Sequence, residues 1–292
     1  MPNQNWLTKL LTRIPLLREM RQTRDEVRQL LAEIRMERTA RAVQFFDFQL
    51  NDHPRYGDPR RLYVHAFQVN SQNGEDGMIR EIFRRIGTTD RVFVEVGIGD
   101  GRENNTAFLL SQNWTGFWID GNEKFLKKVR DRKDLPAGTL KLRAAYVSRE
   151  NITGLFSEMG VPREFDLLSL DIDQNTYYAW QGLAGYHPRV VVIEYNAALP
   201  PDLDWKVRYE PEKVCDGTIN SGASLKALEN LGRQFGYCLV GCDIIGVNAF
   251  FVRSDLVANY FVEPFTAENH HEPVRTTLLH RRNGHVAFLD RP

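Results

Sequence analysis

The 292-residue chain carries no net charge, since 38 lysines and arginines stand against 38 aspartates and glutamates. No global field draws it to nucleic acid or to an anionic membrane, so partners must be sought in local patches. Cysteine is scarce. The three present, Cys215, Cys238 and Cys242, are odd in number and lack paired metal-ligand spacing, which excludes a disulfide framework and leaves free thiols in a reducing compartment. There is no apolar stretch near the roughly 20 residues of a membrane span and no secretory apolar core, so a soluble, cytoplasmic protein is expected. Repeats and low-complexity tracts are missing as well. A chain of this length can bury one large core and has room for an arm or small accessory segment.

Glycine and proline are absent from Leu16 to Phe46, where good helix formers dominate, so one long helix of about 45 Å is expected within residues 1–50. Leu17, Met20, Val27, Leu31 and Ile34 follow a 3-4 spacing whose remaining position is Arg24, the pattern of a short coiled-coil seam with one polar layer. Residues 1–41 hold nine basic side chains against five acids, a net of +4. Self-association through this helix, docking of its basic face on a membrane surface, and packing on its own domain all fit the pattern; self-association to a homo-oligomer is favoured. The prolines and glycine between His53 and Pro59 mark residues 51–70 as a linker.

Beyond it, helical and strand patterns alternate. Strands are expected at Arg91–Val96, Gly116–Asp120, Thr139–Val147, Asp166–Asp171, Val190–Tyr195, Tyr237–Asp243 and Ala249–Arg253, the last two joined by a Gly246-Val247-Asn248 turn into an antiparallel hairpin. The run Val190-Val-Val-Ile is continuously apolar, as a strand covered on both faces should be.

The most informative segment is Val92-Phe-Val-Glu-Val-Gly-Ile-Gly-Asp-Gly101. An apolar run stops at Glu95, and Gly97, Gly99 and Gly101 then let the backbone turn sharply and approach a ligand. A dinucleotide fingerprint needs its third glycine at position 102, where this chain has Arg102, so a nicotinamide-dependent dehydrogenase is disfavoured. The glycine spacing with Glu95 instead matches class I methyltransferases that bind S-adenosylmethionine. Asp120 ends the next strand 21 residues after Gly99, where an acid can accept hydrogen bonds from a ribose diol. Asn104, Asn105 and Thr106 follow the glycines and suit either free amides at a helix start or the methionine portion of a cofactor.

Ligands of open α/β sheets collect outside the carboxyl ends of the strands. The fourth strand there ends in Asp171-Ile172-Asp173-Gln174-Asn175 and the fifth in Glu194-Tyr195-Asn196, so Asp171, Asp173, Glu194 and Asn196 should share a cleft. Three crowded carboxylates raise one another's pKa unless something compensates. A divalent cation such as Mg²⁺ held by oxygen ligands is one solution, and a metal-free carboxylate acting as general base is another. In a third reading Asp173 and Asn175 merely cap the following helix. An alcohol is a poor nucleophile for methyl transfer until its proton is removed or its pKa lowered, and either of the first two would do that.

Taken together, Ser71-Gln-Asn-Gly-Glu-Asp76, Phe93-Val-Glu-Val-Gly-Ile-Gly-Asp-Gly-Arg-Glu-Asn-Asn-Thr106, Leu170-Asp-Ile-Asp-Gln-Asn175 and Val192-Ile-Glu-Tyr-Asn196 resemble FkbM-type S-adenosylmethionine-dependent methyltransferases over roughly residues 65–255. The resemblance implies a Rossmann-like α/β fold with a seven-stranded class I methyltransferase sheet in residues 71–260. It also implies methylation of a hydroxyl, often on a sugar of a glycan, glycolipid or natural product. Asp171-x-Asp173 with an acidic end to the fifth strand is similar as well to metal-dependent sugar O-methyltransferases, although the two adjacent aspartates those enzymes tend to show after the fifth strand are here Glu194-Tyr195-Asn196. The N-terminal helix and the tail at 261–292 lie outside the resemblance.

Asn196 to Gly222 is a long irregular segment of the kind that forms lids, and its Trp205 and Tyr209 suit either stacking on a sugar face or sealing the lid to the domain. His270, His271, His280 and His285 are scattered among arginines without metal spacing, which predicts a surface or interface segment. A methyltransferase for a non-sugar small molecule or a macromolecule is the alternative, of which a nucleic-acid or protein methyltransferase is disfavoured by the balanced charge and by the lack of an Asn/Asp-Pro-Pro-aromatic stretch after the fourth strand. A non-catalytic cofactor-binding scaffold is the non-enzyme alternative.

Overall fold

The computed structural model describes residues 15–45, 53–135, 138–183, 185–213 and 218–275, which leaves Cys215, Gly217, His280 and His285 outside the described residues. Residues 15–45 belong to one compact unit and 53–275 to another.

The first unit contributes helix α1, Pro15–Gln44, uninterrupted as expected from the absence of interior glycine and proline. Of the expected seam, Met20, Val27, Leu31 and Ile34 are exposed, as are Leu30 and Met36. Gln22 and Gln29 bond Glu26 and Glu33 one turn on, and Arg41 reaches back to Glu37, contacts that support the helix without burying it.

In the second unit, β1 Val92–Val96, β2 Thr115–Asp120, β3 Leu140–Ala144, β4 Glu164–Leu170, β5 His187–Glu194, β6 Tyr237–Cys242 and β7 Asn248–Arg253 form one sheet. Its order is β3-β2-β1-β4-β5-β7-β6. All pairs are parallel except β5 with β7 and β7 with β6, so the Rossmann-like sheet with a terminal antiparallel hairpin is present. Alternation along each strand sorts the side chains into two cores. Val190 and Val192 join Phe93, Leu167 and Phe250 on one face, packed by α2 (Glu75–Ile86), α3 (Ala107–Leu110) and α4 (Glu123–Arg130). Val191 and Ile193 join Val94, Leu168 and Phe251 on the other, packed by α5 (Ile152–Met159), α6 (Thr176–Gln181) and α7 (Leu225–Gln234). Covering both faces explains why the central strands read as unbroken apolar runs. Edge strand β3 carries exposed Lys141 and Arg143, which discourage pairing with another chain.

From His53 onward the chain is already part of this unit. Two 3-10 helices, Pro54–Tyr56 and Leu62–His65, bury Tyr56 and Leu62, and Tyr56 Oη donates to Glu272 at 2.8 Å. The described part of the expected linker 51–70 is thus packed structure, its prolines shaping turns. The tail also differs from the expected surface segment. Helix α8, Ala267–His270, buries His270 to 3% exposure, and burial pushes its pKa down to about 3, leaving a neutral ring with one nitrogen 3.0 Å from the Val262 carbonyl. Among the described residues no helix is long and apolar enough to cross a membrane.

Candidate functional site

Three glycines follow β1, and each has a different reason to be there. A Cβ on Gly97 would stand 1.6 Å from the Asp171 carbonyl oxygen, so this glycine allows the tips of β1 and β4 to touch. At Gly101 a Cβ would press on Trp118 and Val129, at 2.9 and 3.0 Å. Gly99 differs: at φ +57° its missing Cβ would meet nothing within 4 Å. Of the three, it is the glycine whose bare face looks onto open space.

Glu95 is buried and fully engaged. Its carboxylate accepts from Asn104 Nδ2 at 2.6 Å, Asn105 N at 2.9 Å and Thr106 N at 3.2 Å, and also from the Thr106 hydroxyl. Trp118 Nε1 donates to that hydroxyl in turn, at 2.8 Å. Glu95 therefore holds the chain that leads into α3, the amide-satisfying role considered for Asn104 to Thr106, with the acceptor and donor sides reversed. Burial outweighs these bonds and lifts its pKa to about 7. Asn105 spends its side-chain amide on Ser169 Oγ at 3.1 Å. Asp120 pins the glycine turn, accepting from Gly99 N at 2.9 Å and Asn122 N at 2.7 Å, and burial raises its pKa.

Beside this turn opens a cleft of about 400 Å³, within the range that holds small ligands. Glu95, Gly97, Gly99, Asn104, Asn105 and Asp171 line it, as expected from sequence for most of them; Asp120 lies just outside the lining. Gln72, Glu75, Val247 and Asn248 line it too. Sequence reasoning treated Gln72 and Glu75 only as part of a motif and Asn248 only as a turn residue. The signal for Asn248 was a polar residue opening an otherwise apolar strand, Asn248-Ala-Phe-Phe-Val, at the end of the sheet where β5 finishes.

The lining is rich in hydrogen-bond acceptors. Asn104 Oδ1 and Asn248 Oδ1 are both buried and without a partner. In each case the amide nitrogen is committed to a buried glutamate: Asn104 to Glu95 at 2.6 Å, and Asn248 to Glu75 at 2.8 Å. A glutamate acceptor fixes which end of the amide it meets, so both oxygens are held as acceptors. Asp243, at the β6–β7 turn, accepts from the amides of Ile245, Gly246, Val247 and Asn248, and burial together with the charge of Glu75 lifts its pKa to about 7.

Asp171, Asp173 and Glu194 converge as expected, one carboxylate oxygen from each lying within 4.8 Å of the others. Burial raises Asp171 to about 6 against the opposing hydrogen bond from Glu194, and the charge of Asp173 adds to the rise. Asp173 sits at φ +55°, a strained backbone for a non-glycine residue. Neither Asp173 nor Asn175 caps α6: the Asn175 amide donates instead to the Glu210 carbonyl at 3.0 Å, so the capping reading is excluded. Asn196 faces the lid. Its amide donates to the carbonyls of Ile219 and Ser221 at 2.7 and 3.0 Å, and its oxygen accepts from Ala198 N at 3.2 Å.

Tyr209 is occupied as well. Its ring lies 4.6 Å from that of Tyr178 and 4.6 Å from the Arg149 guanidinium, and its hydroxyl bonds Glu150 and the Arg149 amide. Trp205 anchors the same segment through its backbone, paired with Ser224 at 2.8 and 3.0 Å. Neither ring lines the cleft, and the Tyr209 ring packs the segment onto Tyr178 and Arg149.

No protein-family model matches the chain, and no curated protein does. Solved structures overlap parts of it. The plantazolicin methyltransferase BamL, in complex with a triazolic desmethylPZN analog and SAH, is 11% identical with a TM-score of 0.42, over 78% of this chain and 99% of that one. A S-adenosylmethionine-dependent methyltransferase from Clostridium acetobutylicum is 13% identical with a TM-score of 0.38, over 60% and 88%. PKMT2 from Rickettsia typhi, in complex with AdoHcy, is 13% identical with a TM-score of 0.30, over 40% of this chain and only 24% of that longer one. Likenesses this loose carry no inference about this chain's chemistry.

Proposed function

We propose that this chain is an S-adenosylmethionine-dependent O-methyltransferase that acts on a hydroxyl, that of a sugar in a glycan, glycolipid or natural product. The observation that carries the reading is the union, at one end of the sheet, of an acceptor-lined cleft opening at Gly99 with the Asp171, Asp173 and Glu194 cluster. The cleft suits the cofactor: the space at Gly99 is one a Cβ would fill, and the unpartnered Asn104 oxygen on the glycine-loop side favours a cationic, donor-bearing ligand. Gly97, Gly99, Gly101, Asn105 and Glu95 shape this site, and Asp120, through its remaining acceptor capacity, would meet the ribose. When bound, S-adenosylmethionine supplies an activated methyl group on a sulfonium.

The protein's own contribution is to orient the acceptor hydroxyl and remove its proton. Asp171, half-buried and paired with Glu194, takes that proton as general base in the metal-free form of the reading. In the other form the three carboxylates hold a divalent cation such as Mg²⁺, which relieves their repulsion and lowers the hydroxyl pKa. Loss of activity on exhaustive chelation, restored by Mg²⁺, supports the cation; unchanged activity supports the base. Self-association through α1 accompanies this reading, with its exposed apolar residues as the contact.

The deciding experiment is calorimetry of the full chain with SAH and with NAD. Binding of SAH alone, weakened at least tenfold by Asp120→Ala, supports the proposal. Equal affinity for NAD overturns it. A scaffold without catalysis would bind SAH yet retain its cellular function when Asp171 and Asp173 are both changed to Ala.

A further inference from the structure

Two glutamate–asparagine pairs reach the cleft, and they differ in what lies next to them. Glu95 and Asn104 belong to the glycine-loop side. Asn248 starts β7 and stands directly opposite Glu194 in the antiparallel β5–β7 register. Residues so paired project to the same face of the sheet within about 5.5 Å, so Asn248 neighbours the acid cluster. It lines the same cleft as Asp171. Asn248 is 4% exposed, and its Oδ1 has no partner. A buried amide oxygen left unpaired is costly, and a ligand donor would recover that cost.

The orientation of this oxygen is built in. Glu75 Oε1 takes the Asn248 amide nitrogen at 2.8 Å and is itself fixed by Asn73, whose Nδ2 donates to Oε1 at 3.0 Å and whose backbone N donates to Oε2 at 2.7 Å. On the other side, the Asn248 backbone amide is held by Asp243. The residue is thus clamped at both ends, with one buried acceptor left over at the wall of the cleft that Asp171 also lines.

We propose that Asn248 recognises the acceptor: its Oδ1 receives a hydrogen bond from the hydroxyl adjacent to the one that is methylated, so the site selects vicinal diols. This rests on the methyl-transfer reading and deepens it, since it gives the sugar preference a named determinant. A single isolated hydroxyl engages only the acids. A vicinal pair satisfies the acids with one oxygen and Asn248 with the other, and a site with a buried polar group of this kind rejects analogues that leave it unpaired.

The test uses the full chain saturated with SAH and ligand-observed NMR titration of methyl α-D-glucopyranoside, methyl α-D-mannopyranoside and methyl α-L-rhamnopyranoside, each beside its monodeoxy analogues. In the wild type, at least one glycoside binds, and deleting one hydroxyl of the recognised pair weakens it at least tenfold. In Asn248→Ala, checked for folding by its melting curve, that discrimination falls below twofold while SAH affinity stays within twofold of wild type. Asn248→Ser, which keeps a hydroxyl for Glu75 but withdraws the oxygen from the cleft, replaces the alanine variant if that one does not fold. Discrimination retained in these variants overturns the proposal, as does the absence of glycoside binding. A large loss of SAH affinity places Asn248 at the cofactor and also overturns it. Failure of SAH to bind the wild type sinks the methyl-transfer reading itself, and the inference with it.

Discussion

Asp171 and Glu194, at the tips of neighbouring parallel strands, share a hydrogen bond, and burial of Asp171 lifts its pKa to about 6. A carboxyl raised in the folded state contributes stability below its unfolded pKa, near 4, and that stability is lost as pH rises through about 6. Asp171→Asn removes this dependence. Thermal melts should show the variant gaining on the wild type between pH 4.5 and 8. In the metal-free form of the proposed function catalysis runs the other way: the ionised base would be the useful form, so wild-type methyl transfer should rise through pH 6. A variant whose melting temperature tracks the wild type at every pH contradicts this account.

The first two glycines separate folding from binding. Gly97→Ala drives a Cβ into the Asp171 carbonyl and should cost about 3 kcal/mol or more, seen as loss of soluble protein or a large drop in melting temperature. Gly99→Ala meets no atom, and its left-handed backbone costs about 1–2 kcal/mol. It should fold and yet bind SAH at least tenfold more weakly by calorimetry. Undiminished SAH affinity in Gly99→Ala would remove the cofactor from this turn.

At the far end of the sheet, Arg189 donates to the fully buried Asp166 at 2.8 Å, and Asp166 also accepts from Thr89 and Arg91. Asp166→Ala takes the counter-charge from the buried guanidinium, which keeps only the Ile86 and Gly87 carbonyls, leaves the Thr89 and Arg91 donors unpaired, and should destabilise by about 3–5 kcal/mol in a denaturant titration. Below its lowered melting point the variant should bind SAH normally, because the pair sits at the starts of β4 and β5.

Val27→Asp with Leu31→Asp places charge on the exposed apolar stripe of α1. Light scattering of the full chain should show a lower mass than wild type, with melting of residues 53–275 unchanged. Equal masses would exclude α1 as the contact.

Much of the sheet was legible because each central strand is an unbroken apolar run that stops at a polar residue, and the acids converge because parallel neighbours end at one rim. Other parts were hidden in the sequence. Glu95 reads as a ligand residue in a one-dimensional motif, yet its oxygens are spent on Asn104, Asn105 and Thr106, partners that only the turn brings within reach. Tyr209 looked available for stacking because its neighbours Arg149 and Tyr178 are distant along the chain. His270 lies among charges in sequence, while its ring is enclosed by segments that no local pattern announces. Asn248 carries no motif at all, since its role depends on Glu75, 173 positions earlier.

The reversed direction of β7 has a consequence for how such a site changes over evolution. Were that six-residue strand to run with its neighbours, its opening residue would lie about 17 Å away, at the sheet's opposite rim. Running backwards, it delivers the outgoing end of the β6–β7 hairpin to the rim where β5 ends at Glu194. Hairpin tips tolerate exchange of one or two residues without disturbing the layers beneath them. On the reading proposed above, acceptor preference would then turn on Asn248, apart from the Gly99 turn and the acids.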